Sequence, residues 1–355
     1  MSKRKLKIGI LGCGPIAQLA HLEACQKAEN VVLHSVCDHA EDLAHMMGSF
    51  YSAKNIYTDY NEMLADQELE AVIIATADAF HISASHQAIE AGKHVLVEKP
   101  LGKDLNEAEK LKTEVERSGL LFQIGHMKRF DPGIAYAKSF IKRDIGEIVA
   151  FKAWYCDSTH RYQMTESTQP VPFQSDKAKK PAENPKSNPY NYNLLAHGSH
   201  LVDLARFLVG TIESVWARLV EKKGILCWFV DTEFTNGANG HLDLTIAVRM
   251  DWHEGFQIYG EKGSVLGKIY NPWYFKTSEV QCFLEKDRIY RQPLDNRAHF
   301  FHLQLESFAG AILSGHPQIG TNITEGLHSI KTLLAIAQSV KTGQRVALEQ
   351  VFGSL

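Results

Sequence analysis

Lys7-Ile8-Gly9-Ile10-Leu11-Gly12-Cys13-Gly14-Pro15-Ile16-Ala17 is an apolar run of strand length that breaks into paired glycines and resumes as a helical pattern over 16–27. The glycines fit G-x-G-x-x-A. In a strand–turn–helix unit each position has a job: Gly12 makes the tight turn, Gly14 lets backbone approach a pyrophosphate, and Ala17 lets helix and strand pack closely. Pro15 suits a first helical turn, and the helix that Ile16 opens points its N-terminal N–H groups and positive dipole at phosphate. A carboxylate answers this turn, because Asp38 ends the second apolar run, 24 residues after Gly14. At that place it accepts hydrogen bonds from the adenosine ribose. Glycines that only turn the chain and an Asp that only ends a strand would explain each feature singly, but not all of them together. NAD is therefore the expected cofactor. NADP is disfavoured because Asp38 repels a 2′-phosphate, a preference that the neighbouring His39 moderates.

Outward from this turn, apolar runs at 7–11, 31–37, 71–75, 94–97 and 121–124 alternate with amphipathic stretches at 16–27, 41–47, 60–64, 82–91 and 106–118. Runs that are apolar throughout, instead of alternating, belong to parallel strands covered on both faces. The pattern changes after about residue 130. Asn236-Gly237-Ala238-Asn239-Gly240 and Gly260-Glu261-Lys262-Gly263 read as hairpin turns, and 241–250 and 255–259 alternate as one-sided strands. The expected fold is α/β: an N-terminal Rossmann dinucleotide-binding domain (1–129) and a C-terminal α+β domain (130–355) with a large, mainly antiparallel open sheet. Helices over 299–313 and 325–341 close the chain. Residues 164–189 are polar and hold five of the 11 prolines, which reads as a long loop, either a lid or oligomer arm or a surface excursion.

The 355 residues carry a net charge of −3, with 45% apolar and 22% charged residues, the balance of an ordinary globular protein of about two domains. Disorder, collagen-like repeats and a nucleic-acid partner are excluded. Lys7 and Gly12 break the only leader-like run, and no segment approaches a membrane span of roughly 18 apolar residues. Cysteines 13, 25, 37, 156, 227 and 282 are scattered with no C-x-x-C pair, which predicts reduced thiols in a cytoplasm and no zinc site. Neither G-x-x-x-x-G-K-[ST] nor G-x-S-x-G occurs.

The fourth apolar run ends in Val95-Leu96-Val97-Glu98-Lys99-Pro100. This sets a lysine at the carboxyl edge of the sheet, where open α/β folds bind ligands. A partly desolvated lysine there can exchange a proton with a substrate hydroxyl, although alone it also fits a solvated Glu-Lys pair. Together with the glycine turn, Thr76-Ala77-Asp78 with His81, Ala91-Gly92-Lys93-His94 leading into Glu98-Lys99-Pro100, Gly125-His126-Met127-Lys128-Arg129-Phe130-Asp131-Pro132, Gly198-Ser199-His200-Leu201-Val202-Asp203 and Ser339-Val340-Lys341-Thr342-Gly343, the chain resembles the Gfo/Idh/MocA oxidoreductases. That is the family of glucose-fructose oxidoreductase and inositol dehydrogenase, and the resemblance covers essentially the whole chain.

The resemblance implies a sheet domain covering the nicotinamide, with Lys99 and His200 handling the hydroxyl proton while hydride passes to the cofactor. It adds Thr76, Asp78, His81, Glu98, Lys99 and Met127 to Gly12, Gly14, Pro15, Ile16, Asp38 and His39 along the dinucleotide, and implies a cis Lys99-Pro100 bond. Lys128 matches a position that contacts polyol, and the free face of the C-terminal sheet is the expected surface of a homodimer or homotetramer. Where inositol dehydrogenase-like members carry Asp four residues before the histidine, this chain has Ala196, so another partner must set the tautomer of His200. His197 is a second titratable group beside it. Spacing three places His197, His200 and Asp203 on one helix face, a set that could ligate a metal, yet acid–base work with a bound cofactor requires none, and no metal is expected. Lys99, Lys128, Tyr155, Asp157, His197, His200 and Asp203 are the expected substrate contacts. Trp154, Arg161, Tyr190 and Tyr192 flank the proline-rich loop, and His241 and Asp243 share one strand face.

The sequence thus points to an NAD-dependent dehydrogenase of a secondary hydroxyl on a sugar, cyclitol or glycoside. Two alternatives stay open. One is a redox-neutral glycoside-processing enzyme that oxidises a ring hydroxyl transiently with tightly held NAD. The other is a silent NAD-binding sensor.

Overall fold

A computed structural model describes residues 4–160, 167, 169–294 and 299–355. Two sheets organise the chain. The first has six parallel strands, β1 (Leu6–Leu11), β2 (Val31–Cys37), β3 (Asn55–Tyr57), β4 (Ala71–Ile74), β5 (His94–Val97) and β6 (Phe122–Ile124), in the order β3-β2-β1-β4-β5-β6. This is the doubly wound arrangement, with its switch point between β1 and β4. Every residue of β4 is buried, as the uniformly apolar run requires of a strand covered on both faces. Strand β3, absent from the sequence reading, is three half-buried residues at the sheet edge. The first crossover helix runs over 15–27 and is π-wound at Ala17–His21, a departure that apolar periodicity does not reveal.

The second sheet has nine strands, in the order β14-β13-β12-β11-β7-β10-β9-β8-β15. Its centre is β7 (Ile148–Ser158), paired antiparallel with β11 (His253–Gly260) and parallel with β10 (Asn239–Val248). β8 (Ile212–Lys222) and β9 (Ile225–Phe234) extend one side. β12 (Gly263–Ile269), β13 (Glu279–Leu284) and β14 (Ile289–Arg291) extend the other, and β15 (Val346–Ala347) caps the β8 edge. Both expected glycine hairpins fall between strands, β9–β10 and β11–β12. Burial along β9 alternates strictly between half-exposed and buried, so one face packs and the other stays open.

By internal contacts the chain divides into two units, residues 1–127 with 170–187 and 301–327, and residues 128–169 with 188–300 and 328–355. The domain reading from sequence, 1–129 and 130–355, differs at the two returning segments. Thr321 bridges Ile124 at the free edge of β6, and the Gln318 amide donates to the Phe122 carbonyl, so 301–327 covers that edge. Among the described residues no helix is long and apolar enough to cross a membrane.

One cap holds a core junction of the second unit. The buried Asp131 carboxylate accepts from the backbone N–H groups of Gly133 (2.7 Å) and Ile134 (3.1 Å), opening the helix Pro132–Asp144, and from the Ser278 N–H (3.0 Å) and hydroxyl (2.7 Å). Gly133 is required because a Cβ there would lie 2.2 Å from the Ser278 carbonyl oxygen. Asp131→Ala strands these buried donors, and urea unfolding is expected to show a loss of about 2–4 kcal/mol.

Candidate active site

In the first unit the residues expected along the dinucleotide fall at the carboxyl ends of the parallel strands. Gly12 has φ +90°, and a Cβ there would meet the Ala75 carbonyl oxygen at 2.9 Å, so only glycine closes this turn against the end of β4. A Cβ on Gly14, by contrast, would meet nothing within 4 Å. The turn is packed on its inner side and open at its second glycine, which is the cradle a pyrophosphate needs. Asp38 is half-buried, and its carboxylate accepts from the N–H groups of Cys13 (2.7 Å) and Ala40 (2.9 Å), which locks it to the turn. A carboxylate has about four acceptor sites, so ribose hydroxyls can still be received there. Pro15 and His39 are exposed, and Ile16, Thr76 and Asp78 are half-buried. The residues fit a dinucleotide.

Three expected cofactor contacts are buried supports. His81 places Nδ1 2.7 Å from the Pro100 carbonyl and Nε2 3.1 Å from that of Thr76, tying the end of β4 to the Glu98-Lys99-Pro100 turn. Its burial pushes its pKa down, against the pull of these carbonyls and of Glu98. The Glu98 carboxylate meets His21 Nε2 at 2.8 Å, with both side chains buried. Burial works to raise Glu98, yet the hydrogen bond and charge of His21, with Lys99 and His81, hold it below the ordinary value. Met127 is buried as well. Lys99 is half-buried, its N–H lies 3.2 Å from Glu98 Oε2, and the Lys99-Pro100 bond is cis. His21 was not read from the sequence. The signal was present, since it falls on the inward run Ala17, Ala20, His21, Ala24, where a polar residue needs a buried partner.

Residues 164–166 and 168 of the proline-rich loop, like Arg161, lie outside the described residues. Residues 170–187 belong to the nucleotide-binding unit and are pinned to it. The Gln18 amide donates to Phe173 O (3.0 Å) and Cys13 O (2.8 Å) and accepts from Phe173 N (2.9 Å). Ser175 donates to Asp42 (2.8 Å), Lys179 sits 5.1 Å over the Phe80 ring, and Lys103 faces Glu183. These four anchors follow β1, β2, β4 and β5 in turn, so the segment runs across successive crossovers as a strap.

The second unit assembles most of the expected substrate residues around Tyr155. Its ring lies parallel to that of His200, with centroids 5.9 Å apart and 5° between planes. Its hydroxyl lies 3.2 Å from His197 Nδ1, and His197 Nε2 lies 3.8 Å from the Asp157 carboxylate. Lys128 Nζ stands 4.5 Å over the same ring and is ion-paired to Glu254, with both partners buried. Burial pushes the Lys128 ammonium down and the Glu254 carboxyl up, and each opposes the shift of the other. Trp252 and Tyr155 meet in a T-shaped pair, as do Tyr192 and His197. Glu254 was missed from sequence, although a carboxylate on an inward position of β11 demands a cation.

Other expected residues are occupied elsewhere. Asp203 is taken up by Arg129, whose Nε and Nη2 lie 3.0 and 2.6 Å from it in a buried pair. Asp243 pairs in register with Trp154, and Leu244 with Tyr155, so Asp243 and His241 lie on the opposite sheet face, where His241 meets Asp231. Trp154 stacks on His253, and the Tyr190 hydroxyl reaches Glu221. Among the described residues no cluster of His, Cys, Asp or Glu is arranged to hold a metal.

Residues 6–126 match the model described as "Oxidoreductase family, NAD-binding Rossmann fold", and residues 135–266 match the GFO/IDH/MocA C-terminal domain. The chain belongs to the Gfo/Idh/MocA oxidoreductase family. It is an NAD-binding oxidoreductase. Among relatives, it is 25% identical to the uncharacterized oxidoreductase YrbE of Bacillus subtilis over 98% of this chain and 97% of that protein. It is 23% identical to the myo-inositol 2-dehydrogenase of Thermotoga maritima, over 98% of this chain and 100% of that enzyme. The structure of levoglucosan dehydrogenase in complex with NADH shares the fold, with a TM-score of 0.79 and 20% identity over 98% of this chain and 100% of that one.

Within this Gfo/Idh/MocA chain the clamp on Phe173 amounts to a few hydrogen bonds of about 1 kcal/mol each. Gln18→Ala is therefore expected to raise the rate of tryptic cleavage at Lys177 and Lys179 by roughly tenfold or more, read by limited proteolysis and mass spectrometry. Equal rates in variant and wild type would mean that the clamp does not hold the strap.

Proposed function

We propose that the chain is a dehydrogenase of a secondary hydroxyl on a sugar, cyclitol or glycoside, with Lys99 and His200 handling the proton of that hydroxyl. One observation carries the reading: a buried cluster of Lys128, Tyr155, His197 and His200 that joins hydroxyl-binding donors to an aromatic face. Sugars and cyclitols offer the complement, ring C–H faces for stacking and hydroxyls for paired polar groups. Relatives named for inositol and levoglucosan support the same substrate class. Bound NAD supplies the hydride acceptor. His200 takes the hydroxyl proton on a ring nitrogen, and the Lys99 ammonium stands by the oxygen to favour its loss. Lys128 and His197 orient neighbouring hydroxyls. Asp38 selects NAD over NADP by charge.

The strap over four nucleotide-side crossovers favours a second reading, a redox-neutral cycle on a retained cofactor. A single assay separates the two. Purified protein is given NAD and a panel containing myo-inositol and levoglucosan, while absorbance at 340 nm and product formation are followed together. Net oxidation produces NADH in step with product, whereas a redox-neutral cycle gives product without it. Binding of NAD with no product across the panel would leave a sensor. On the substrate found, Lys99→Ala and His200→Ala should each lower kcat by roughly 10²–10⁴-fold. An intact rate in either variant removes that residue from the chemistry.

The half-exposed face of the second sheet, with Ile225, Cys227, Phe229 and Asp231 alternating along β9, is our proposed surface for a homodimer or homotetramer. Light scattering on the eluted protein should give an even multiple of 39.8 kDa. A monomer at micromolar concentration would exclude it.

A further inference from the structure

Among the described residues, the second unit buries two cations, Lys128 and Arg129, against four carboxylic acids, Asp131, Asp157, Asp203 and Glu254. Both cations have a carboxylate partner. The Lys128 ammonium is ion-paired to Glu254 and lies 4.5 Å over the Tyr155 ring, and the charges of Asp131 and Asp203 act on it as well. Arg129 holds Asp203 through Nε and Nη2, at 3.0 and 2.6 Å. His197 faces the Asp157 carboxylate at 3.8 Å. Strand register builds the lysine pair into this cluster, because Glu254 on β11 stands directly opposite Tyr155 on β7.

A hydroxyl and an anion meet such an ammonium on different terms. An ammonium has three donors, so with Glu254 on one of them a hydroxyl can accept another, and it needs no net charge to do so. A carboxylate or phosphate must give up its hydration on entering, which only net positive charge offsets, and here the acids already in place cancel that charge. We propose that Glu254 is a specificity-determining residue that limits the substrate to uncharged polyols and excludes sugars bearing a carboxylate or a phosphate. By occupying Lys128 it leaves a hydroxyl donor where an unpaired lysine would make an anion site. The other cation of the dehydrogenase reading, Lys99, is committed to the reacting oxygen. The inference deepens that reading and rests on the substrate cluster given there.

The test uses pairs of compounds that differ in charge: myo-inositol with its 1-phosphate, D-glucose with D-glucuronate, and D-galactose with D-galacturonate. Binding to the full-length protein loaded with NADH is read by saturation-transfer NMR at pH 7, and turnover with NAD by absorbance at 340 nm. In every pair that binds, the neutral member should bind at least roughly tenfold more tightly. Glu254→Gln should narrow that preference by roughly tenfold, through a gain on the acidic member. The double variant Lys128→Met with Glu254→Gln buries no unpaired charge and should exclude acids as wild type does.

An acidic compound that binds wild type as well as its neutral partner overturns the inference without any variant. So does an unchanged preference in Glu254→Gln, or a gain on acids that persists in the double variant. If no member of any pair binds, the inference falls together with the substrate cluster. Neutral compounds that bind without being oxidised would end the dehydrogenase reading and leave the inference standing, whereas oxidation of acidic compounds alone would do the reverse.

Discussion

The carbonyl oxygen of Ala75 stands where any side chain at position 12 would have to go. That single exclusion makes β1 stop and turn directly beside the end of β4, at the point where the sheet reverses its order. The rest of the nucleotide-binding edge follows. The Gly12 N–H donates to Cys37 O at 2.8 Å, which brings the end of β2 against the turn, and Asp38 then reaches the Cys13 N–H. Acceptor, open glycine and helix start are thereby fixed within one turn of chain, so a dinucleotide meets a preformed cradle and little ordering entropy remains to be lost on binding.

Beyond this edge several of the chain's interior charges are paired. His21 with Glu98, Lys128 with Glu254 and Arg129 with Asp203 are each buried and each joined at hydrogen-bonding distance. Such pairs contribute little net stability, because desolvation offsets most of the attraction. Their use is directional. Glu98 is anchored on one side by His21 and lies by the Lys99 N–H on the other, which fixes the backbone that carries the lysine. The Lys128–Glu254 pair lies beneath the Tyr155 ring in the same manner. Lys99 and Tyr155 are thus both backed by buried polar pairs.

The first sheet was legible because its cues are local. A strand, two glycines, a helix start and an Asp after the next strand lie within a short stretch, and uniformly apolar runs report burial on both faces. β3 escaped because three half-buried edge residues carry no periodicity. The π-wound turns at Ala17–His21 and Leu194–Gly198 escaped because helical periodicity is too coarse to show one extra residue in a turn. What the sequence could not supply were partners. His21 and Glu98 are 77 positions apart, and Lys128 and Glu254 are 126 apart, so their pairing exists only once the strands are placed. Candidate residues such as Lys128, Tyr155, Asp157, His197 and His200 were named individually. That Asp203 is taken by Arg129, and that the proline-rich segment returns to the first unit, came only from packing.

The loss of the helix carboxylate fits the way that helix is built. Gly198 lets it approach its neighbour closely, since a Cβ there would lie 3.1 Å from Leu333. The π-wound turn just before leaves Ala196 half-exposed while burying His197. On the strand beneath, the buried Asp157 faces His197 at 3.8 Å. The Asp–His couple that the structure does hold thus joins strand to helix, Asp157 to His197.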